Sequence, residues 1–238
     1  MTGTDARYDA VVFDNDGILT EITDGAVFRA AIRDAFEAAG VSDPPGEHVE
    51  ALYGTTAADV RRICDHHGID PGPFWRHRDD EAARRQKEAI RTGEKPLYPD
   101  VEAILEIGAD VGVVSNNQHE TVRFIVEHFD LAPPVETVYG REHSVTGIER
   151  KKPDTHYLDR ALADLGTTYA LYVGDSEKDV VAARRAGIDS AFVRRPHRND
   201  YRMAPDPTYE ISSLAELHGL CDAGGRSRAT ARRGRESH

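Results

Sequence analysis

Cysteine, lysine and long apolar stretches are all scarce in this chain of 238 residues, and each scarcity removes a class of protein. The two cysteines, Cys64 and Cys221, lie far apart in sequence, so neither a disulfide framework nor a four-ligand zinc site is expected. No apolar run approaches the roughly 18 residues needed to span a bilayer, and the amino terminus lacks a basic-then-apolar pattern. A cytoplasmic protein without membrane contact is therefore expected. Positive charge is short as well, with 42 acidic residues against 30 basic ones and a net charge of −12, which opposes long-range attraction to nucleic acid. Only five of the basic residues are lysines (Lys87, Lys95, Lys151, Lys152 and Lys178). An acid-rich, lysine-poor balance fits a halophilic protein, although a GC-rich genome would also favour arginine over lysine. With 39% hydrophobic residues the chain is globular in composition and long enough to bury a substantial core.

What is present begins with Phe13-Asp14-Asn15-Asp16-Gly17, directly behind the apolar run Ala10-Val11-Val12-Phe13. That run reads as a short buried strand, which would bring both carboxylates to its carboxyl end, where open α/β sheets bind ligands. Asn-Asp-Gly alone would also suit a hairpin turn. Further along, Val111-Gly112-Val113-Val114 leads into Ser115-Asn116-Asn117. Ser115 there could either bind a phosphate oxygen or cap a helix. Lys151-Lys152-Pro153-Asp154, taken alone, is an ordinary surface turn. Finally Leu171-Tyr172-Val173-Gly174 ends in Asp175, with Asp179 one helical turn on, so two more carboxylates can reach one point.

In this order, with about a hundred residues between the first segment and the second, the four segments resemble the haloacid dehalogenase superfamily of phosphohydrolases over residues 8–195. The resemblance implies an α/β fold, a doubly wound parallel sheet, with Asp14 as nucleophile and Asp16 as general acid/base. It puts the family's serine on Ser115, its lysine on Lys152 and its metal carboxylates on Asp175 and Asp179. Ile18 departs from the threonine often found there, and the adjacent proline favours Lys152 over Lys151.

The chemistry has its own demands. A phosphate monoester dianion repels an attacking carboxylate, so a cation must neutralise charge first. Magnesium, a hard ion taking oxygen ligands, suits Asp14, a carbonyl at Asp16, Asp175 and Asp179. Lys152, Ser115, Asn116 and the loop N–H groups of Asn15 and Asp16 would complete a phosphate cradle. Asp14 would form an aspartyl-phosphate, and Asp16 would protonate the leaving group and then deprotonate water.

The catalytic core is expected over residues 5–20 and 96–222, as helices alternating with strands in a parallel sheet. Residues 21–95 carry helical periodicity and proline or glycine breaks, and resemble the superfamily's helical C1 cap, as in phosphoglycolate-phosphatase-like members. Such a cap would close over the site and read the organic part of a small phosphorylated metabolite. Cys64-Asp65-His66-His67 reads as a solvated helix end, because adjacent side chains without a second ligand pair make a poor metal site. The basic stretch 223–238 lacks periodicity and is expected to be disordered, with a nucleic-acid arm as the lesser reading. The function expected is magnesium-dependent hydrolysis of a small phosphate monoester, phosphoglycolate-like or a sugar phosphate. A β-phosphoglucomutase-type isomerase is the alternative, although Ala26 and Val27 occupy the place of that branch's usual histidine. A non-catalytic phosphate-binding module is the reading from outside enzymology, and Asp16 argues against a dehalogenase. The sequence leaves the oligomeric state open.

Overall fold

In the computed structural model, residues 8–221 are described, and the basic stretch expected to be disordered lies outside them. The element order is β1 Ala10–Phe13, then four helices, α1 Gly25–Ala38, α2 Gly46–Leu52, α3 Ala57–His67 and α4 Pro71–Arg91. A 3-10 segment, Pro99–Glu106, leads into β2 Asp110–Gln118, α5 His119–His128, β3 Val135–Arg141, α6 Val145–Glu149 and α7 His156–Leu165. Then come β4 Ala170–Gly174, α8 Glu177–Ala186, β5 Asp189–Val193, β6 Tyr209–Ile211 and α9 Leu217–Cys221.

All strand pairings are parallel, in the order β3-β2-β1-β4-β5-β6. Side chains alternate across β1: Val11 and Phe13 join an apolar cluster with Val111, Val113, Leu171 and Val173, whereas Ala10 and Val12 pack with Val114, Tyr157 and Tyr172 on the other face. Burial on both faces is what a continuous apolar strand demands. Because β1 lies between β2 and β4, the carboxyl ends of these three strands are neighbours at the point where strand order reverses, the position at which open sheets bind ligands.

The four-helix insertion has a core of its own, built from Ile32, Phe36, Val49, Leu52, Ile63 and Phe74, with Ile148 of α6 reaching into it. Three of the four helices start on a side-chain cap: Asp24, Thr56 and Asp70 accept N-terminal N–H groups of α1, α3 and α4. The insertion leaves and rejoins the core through a narrow neck in which Glu21 N–H donates to Pro96 and Tyr98 N–H donates to Leu19.

Several expectations are refined. The segment after Tyr98 is 3-10 rather than α-helical; its Asp100 carboxylate accepts from Arg195, Ser213 and the Leu214 N–H, which ties it to later loops. β2 runs past Ser115 to Gln118 through a break in its register with β3. The short elements α6, β6 and α9 carry too few residues to show a period.

Candidate functional site

Asp14 stands immediately after β1, its N–H donating to Val173 of the neighbouring strand at 2.9 Å. Its carboxylate accepts the Asn15 N–H at 2.7 Å and lies 3.0 Å from the Lys152 ammonium. Lys152 is only 2% exposed and also donates to Asp179 Oδ1 and to the Tyr172 hydroxyl, each at 2.6 Å. Burial alone would lower the Lys152 pKa, but the charges of Asp14 and Asp179 outweigh it and hold the ammonium charged. Asp14 responds differently: burial raises its pKa, Lys152 lowers it, and the nearby Asp179 and Asp175 raise it again, leaving it at about 7.

Asp175 follows β4, and its Oδ2 is met by His197 Nε2 at 2.7 Å and by Arg198 Nε at 3.1 Å. Asp179 is the third residue of α8 and closes a capping box, accepting the Ser176 N–H at 3.0 Å and its hydroxyl at 2.6 Å. Both oxygens of Asp179 are thus engaged, one by Lys152 and one by Ser176. Two glycines permit this crowding: a Cβ on Gly17, whose φ is +84°, would meet Asp175 Oδ2 at 2.5 Å, and one on Gly174 would meet Asp179 Cβ at 2.4 Å. Oxygens of Asp14, Asp175 and Asp179 all lie within 4.8 Å of one another. Three carboxylates gathered this closely repel each other, and a hard, oxygen-seeking dication suits that donor set.

Asp16 points into different company. Lys95 forms an ion pair with it, the Thr23 hydroxyl lies 3.1 Å from the same oxygen, and Asn117 donates to the other oxygen at 2.7 Å. Gln86 of α4 braces the group by bonding Thr23 and Asn117. Burial pushes the Asp16 pKa up, but the Lys95 charge and the hydrogen bonds from Lys95, Asn117 and Asn15 prevail and hold it below the ordinary carboxylate range.

The other expected residues take distinct places. Ser115 is 2% exposed, with its Oγ 3.3 Å from the Asn117 N–H it accepts. Asn116 clasps the Lys152 backbone, donating to its carbonyl at 3.1 Å and accepting its N–H at 2.7 Å. Asn15 is fully buried, and its carbonyl accepts from Ile18, Leu19 and Thr20, which shapes the loop after Asp14.

Two adjoining cavities meet at Asn116 and Lys178. One, about 650 Å³, includes Asp14 and Asp175 in its wall. The other, about 430 Å³, is bounded by Asp16 and by cap side chains, with Arg78, Arg141, Lys151 and Lys178 among its lining. Arg78 and Arg141 share a single buried counter-ion, Asp79, at 2.8 and 2.6 Å, so this wall retains excess positive charge. The Arg78 Nε and the Trp75 indole N–H are buried with no hydrogen-bond partner. Burial, with the neighbouring Lys178, Arg141 and Arg78 charges, pulls the Lys151 ammonium down to about 8.

The family model for haloacid dehalogenase-like hydrolases matches residues 11–193. The chain belongs to that family. It is 25% identical to a phosphoglycolate phosphatase of Rhodobacter capsulatus, covering 90% of this chain and 96% of that one. It is 24% identical to a 5'-nucleotidase of Pseudomonas aeruginosa, over 91% of this chain and 97% of the relative. Among solved structures, CbbY from Rhodobacter sphaeroides in complex with phosphate superposes with a TM-score of 0.64 at 22% identity, covering 88% of this chain and 96% of that one. The protein is therefore an enzyme of a hydrolase family whose named relatives are phosphatases, built on that family's six-stranded parallel sheet. No helix among the described residues is long and apolar enough to cross a membrane.

Sequence reasoning missed Lys95, Thr23 and Gln86 around Asp16, and His197 and Arg198 on Asp175. Lys95 carried a faint signal as one of five lysines in the chain. The others are polar residues in loops or on a helix face, with nothing in their spacing to single them out.

Proposed function

We propose that the protein is a magnesium-dependent phosphatase for a small phosphate monoester whose organic part carries a second anionic group. The observation that carries this is the junction of the carboxylate and Lys152 cluster with a cavity walled by Arg78, Arg141, Lys151 and Lys178. Asp14, Asp175 and the Asp16 carbonyl would hold magnesium, with Asp179 beside them anchoring Lys152. When bound, the ion neutralises phosphate charge and lets an anionic nucleophile approach.

Asp16 takes up a proton from solvent as the substrate binds; Asp14 then attacks phosphorus, the bond to the ester oxygen breaks, and Asp16 passes that proton to the departing alkoxide and returns to its carboxylate form. Water then attacks the aspartyl-phosphate, gives its proton to Asp16, and Asp14 is freed. Lys152 faces charge on both Asp14 and the transferring group, while Asn15, Ser115 and Asn116 shape the loops around it. At rest Asp16 is a carboxylate paired with Lys95, the state needed for the second, base step. The relatives support the substrate reading: phosphoglycolate bears a carboxylate, and another CbbY structure holds xylulose-1,5-bisphosphate, with a second phosphate.

The test is phosphate release across a panel of monoesters in magnesium. Doubly anionic substrates should exceed neutral-tailed ones in kcat/KM by about 10-fold or more, an advantage that Lys151→Gln should shrink. Their KM should also rise above about pH 8, where free Lys151 loses its charge. Equal use of neutral-tailed monoesters would remove the second-anion reading, and full turnover in excess EDTA would remove the magnesium.

A further inference from the structure

The Cys64-Asp65-His66-His67 segment gains a partner that its sequence did not disclose. His48, on α2, meets His66 and His67 in the last turn of α3, and side-chain nitrogens of the three lie within 4.8 Å of one another. His48 Nδ1 is 2.9 Å from His67 Nε2. The three ring centroids are 4.9–5.1 Å apart, and every pair is nearly perpendicular, at 81°, 87° and 84°. None of the three lines either cavity of the phosphate site.

Histidines at the end of α3 have an ordinary explanation, the favourable field of a helix carboxyl terminus for a cation. That accounts for His66 and His67 but not for His48, which comes from a second helix. Nor does it favour three protonated rings at this range. Two nitrogens 2.9 Å apart can share one proton, whereas two imidazolium ions would repel. His67 is half-buried edge-on to Phe36, with ring centroids 5.2 Å apart, so packing as well as His48 orients its ring. Neutral imidazole is the form that binds metals.

Zinc takes imidazole nitrogens at about 2.0–2.1 Å in a tetrahedron, which sets ligand nitrogens roughly 3.3 Å apart, so small side-chain rotations from this arrangement suffice. We propose that His48, His66 and His67 form a three-imidazole site for a nitrogen-preferring divalent transition-metal ion, zinc foremost, that joins α2 to the end of α3. A fourth position is left for water or another ligand. The ligand chemistry separates it from the carboxylate site: magnesium prefers hard oxygen donors, whereas imidazole suits zinc, nickel and copper.

The test is calorimetric titration of the full-length protein with zinc in excess magnesium, alongside imidazole proton resonances and the melting temperature. The wild type should take up one equivalent of zinc with a rise in melting temperature and shifts in three histidine rings. His66→Ala removes an exposed ring, so the fold should persist while affinity drops about 10-fold or more, and His48→Ala should do the same. Asp175→Asn should leave this equivalent in place. Absence of zinc uptake, affinity unchanged in both histidine variants, or loss in Asp175→Asn alone would overturn the proposal.

Discussion

Asp14 and Asp16 leave the same strand end two residues apart, yet the molecule surrounds them from opposite sides. Asp14 takes its neighbours from the core: Lys152 ahead of α7, Asp175 after β4 and Asp179 on α8. Asp16 takes Lys95 and Thr23 from the two arms of the neck, and Gln86 of the insertion stands behind them, with Asn117 the contribution of the core. One carboxyl is driven up to about 7 by burial and like charges; the other is held low because a lysine offsets its burial. The difference teaches that the surroundings of Asp14 are organised by the core alone, whereas those of Asp16 answer to the insertion as well.

The sharpest way to break this comparison is to neutralise each acid in turn. Asp14→Asn should lower turnover by more than about 10⁴-fold and abolish the phosphoenzyme with every substrate. Asp16→Asn should cost about 10²–10⁴-fold on alkyl phosphates and much less on aryl phosphates, whose leaving groups need little protonation. Equal losses on both ester types would deny Asp16 its acid role.

A smaller effect is expected from Lys95→Met. The aspartyl-phosphate should hydrolyse about 10-fold more slowly, because the base is no longer held as a carboxylate, while its formation from an aryl phosphate changes little. In the wild type the Asp16 pKa lies below the ~3.9 of a free carboxyl, so its stabilisation is complete at neutral pH and is lost as pH falls through that low value. Lys95→Met should therefore flatten the low-pH end of the stability curve. Single-turnover quench measurements showing both steps slowed alike would remove the special tie between Lys95 and Asp16.

The subtlest test reads Asp14 through stability. Its folded pKa of about 7 exceeds the unfolded ~3.9, so metal-free stability should fall as pH rises between those values and level off above 7. Magnesium requires the carboxylate, so protons compete with it below pH 7. Saturating magnesium should raise the melting temperature more at pH 8 than at pH 5.5, and Asp14→Asn should erase that difference. Equal gains at both pH values in the wild type would mean that Asp14 does not couple to the metal.

The same division decided what could be read without coordinates. Asp14 and Asp175 each follow an apolar strand, Asp179 lies one helical turn further on, and a doubly wound parallel sheet brings such strand ends together where its order reverses, so their meeting was visible in the sequence. Helices α1, α3 and α4 were marked by their period and by the glycine or proline breaks between them. Lys95 was not legible, because its role depends on the neck returning the chain beside Asp16 after more than seventy residues. The run that holds Arg78 and Asp79 has the look of a solvated face of α4, yet both are buried with Arg141, since a period on α4 cannot show that β3 will end opposite it. His48 escaped for the same reason.

The neck itself has a consequence for how such a molecule can change over time. With Glu21 bonded to Pro96, Tyr98 bonded to Leu19, and Arg195 gripping the Gly17 and Ile18 carbonyls as well as Asp100, the two chain crossings are fastened by the core side. To the core, everything between them is one long loop with its ends already pinned. Doubling such a loop adds only about 0.6 kcal/mol of closure entropy. The four helices are thus a replaceable module: length and shape beyond the neck can drift widely at little thermodynamic cost, provided that whatever grows there still returns a lysine to Asp16.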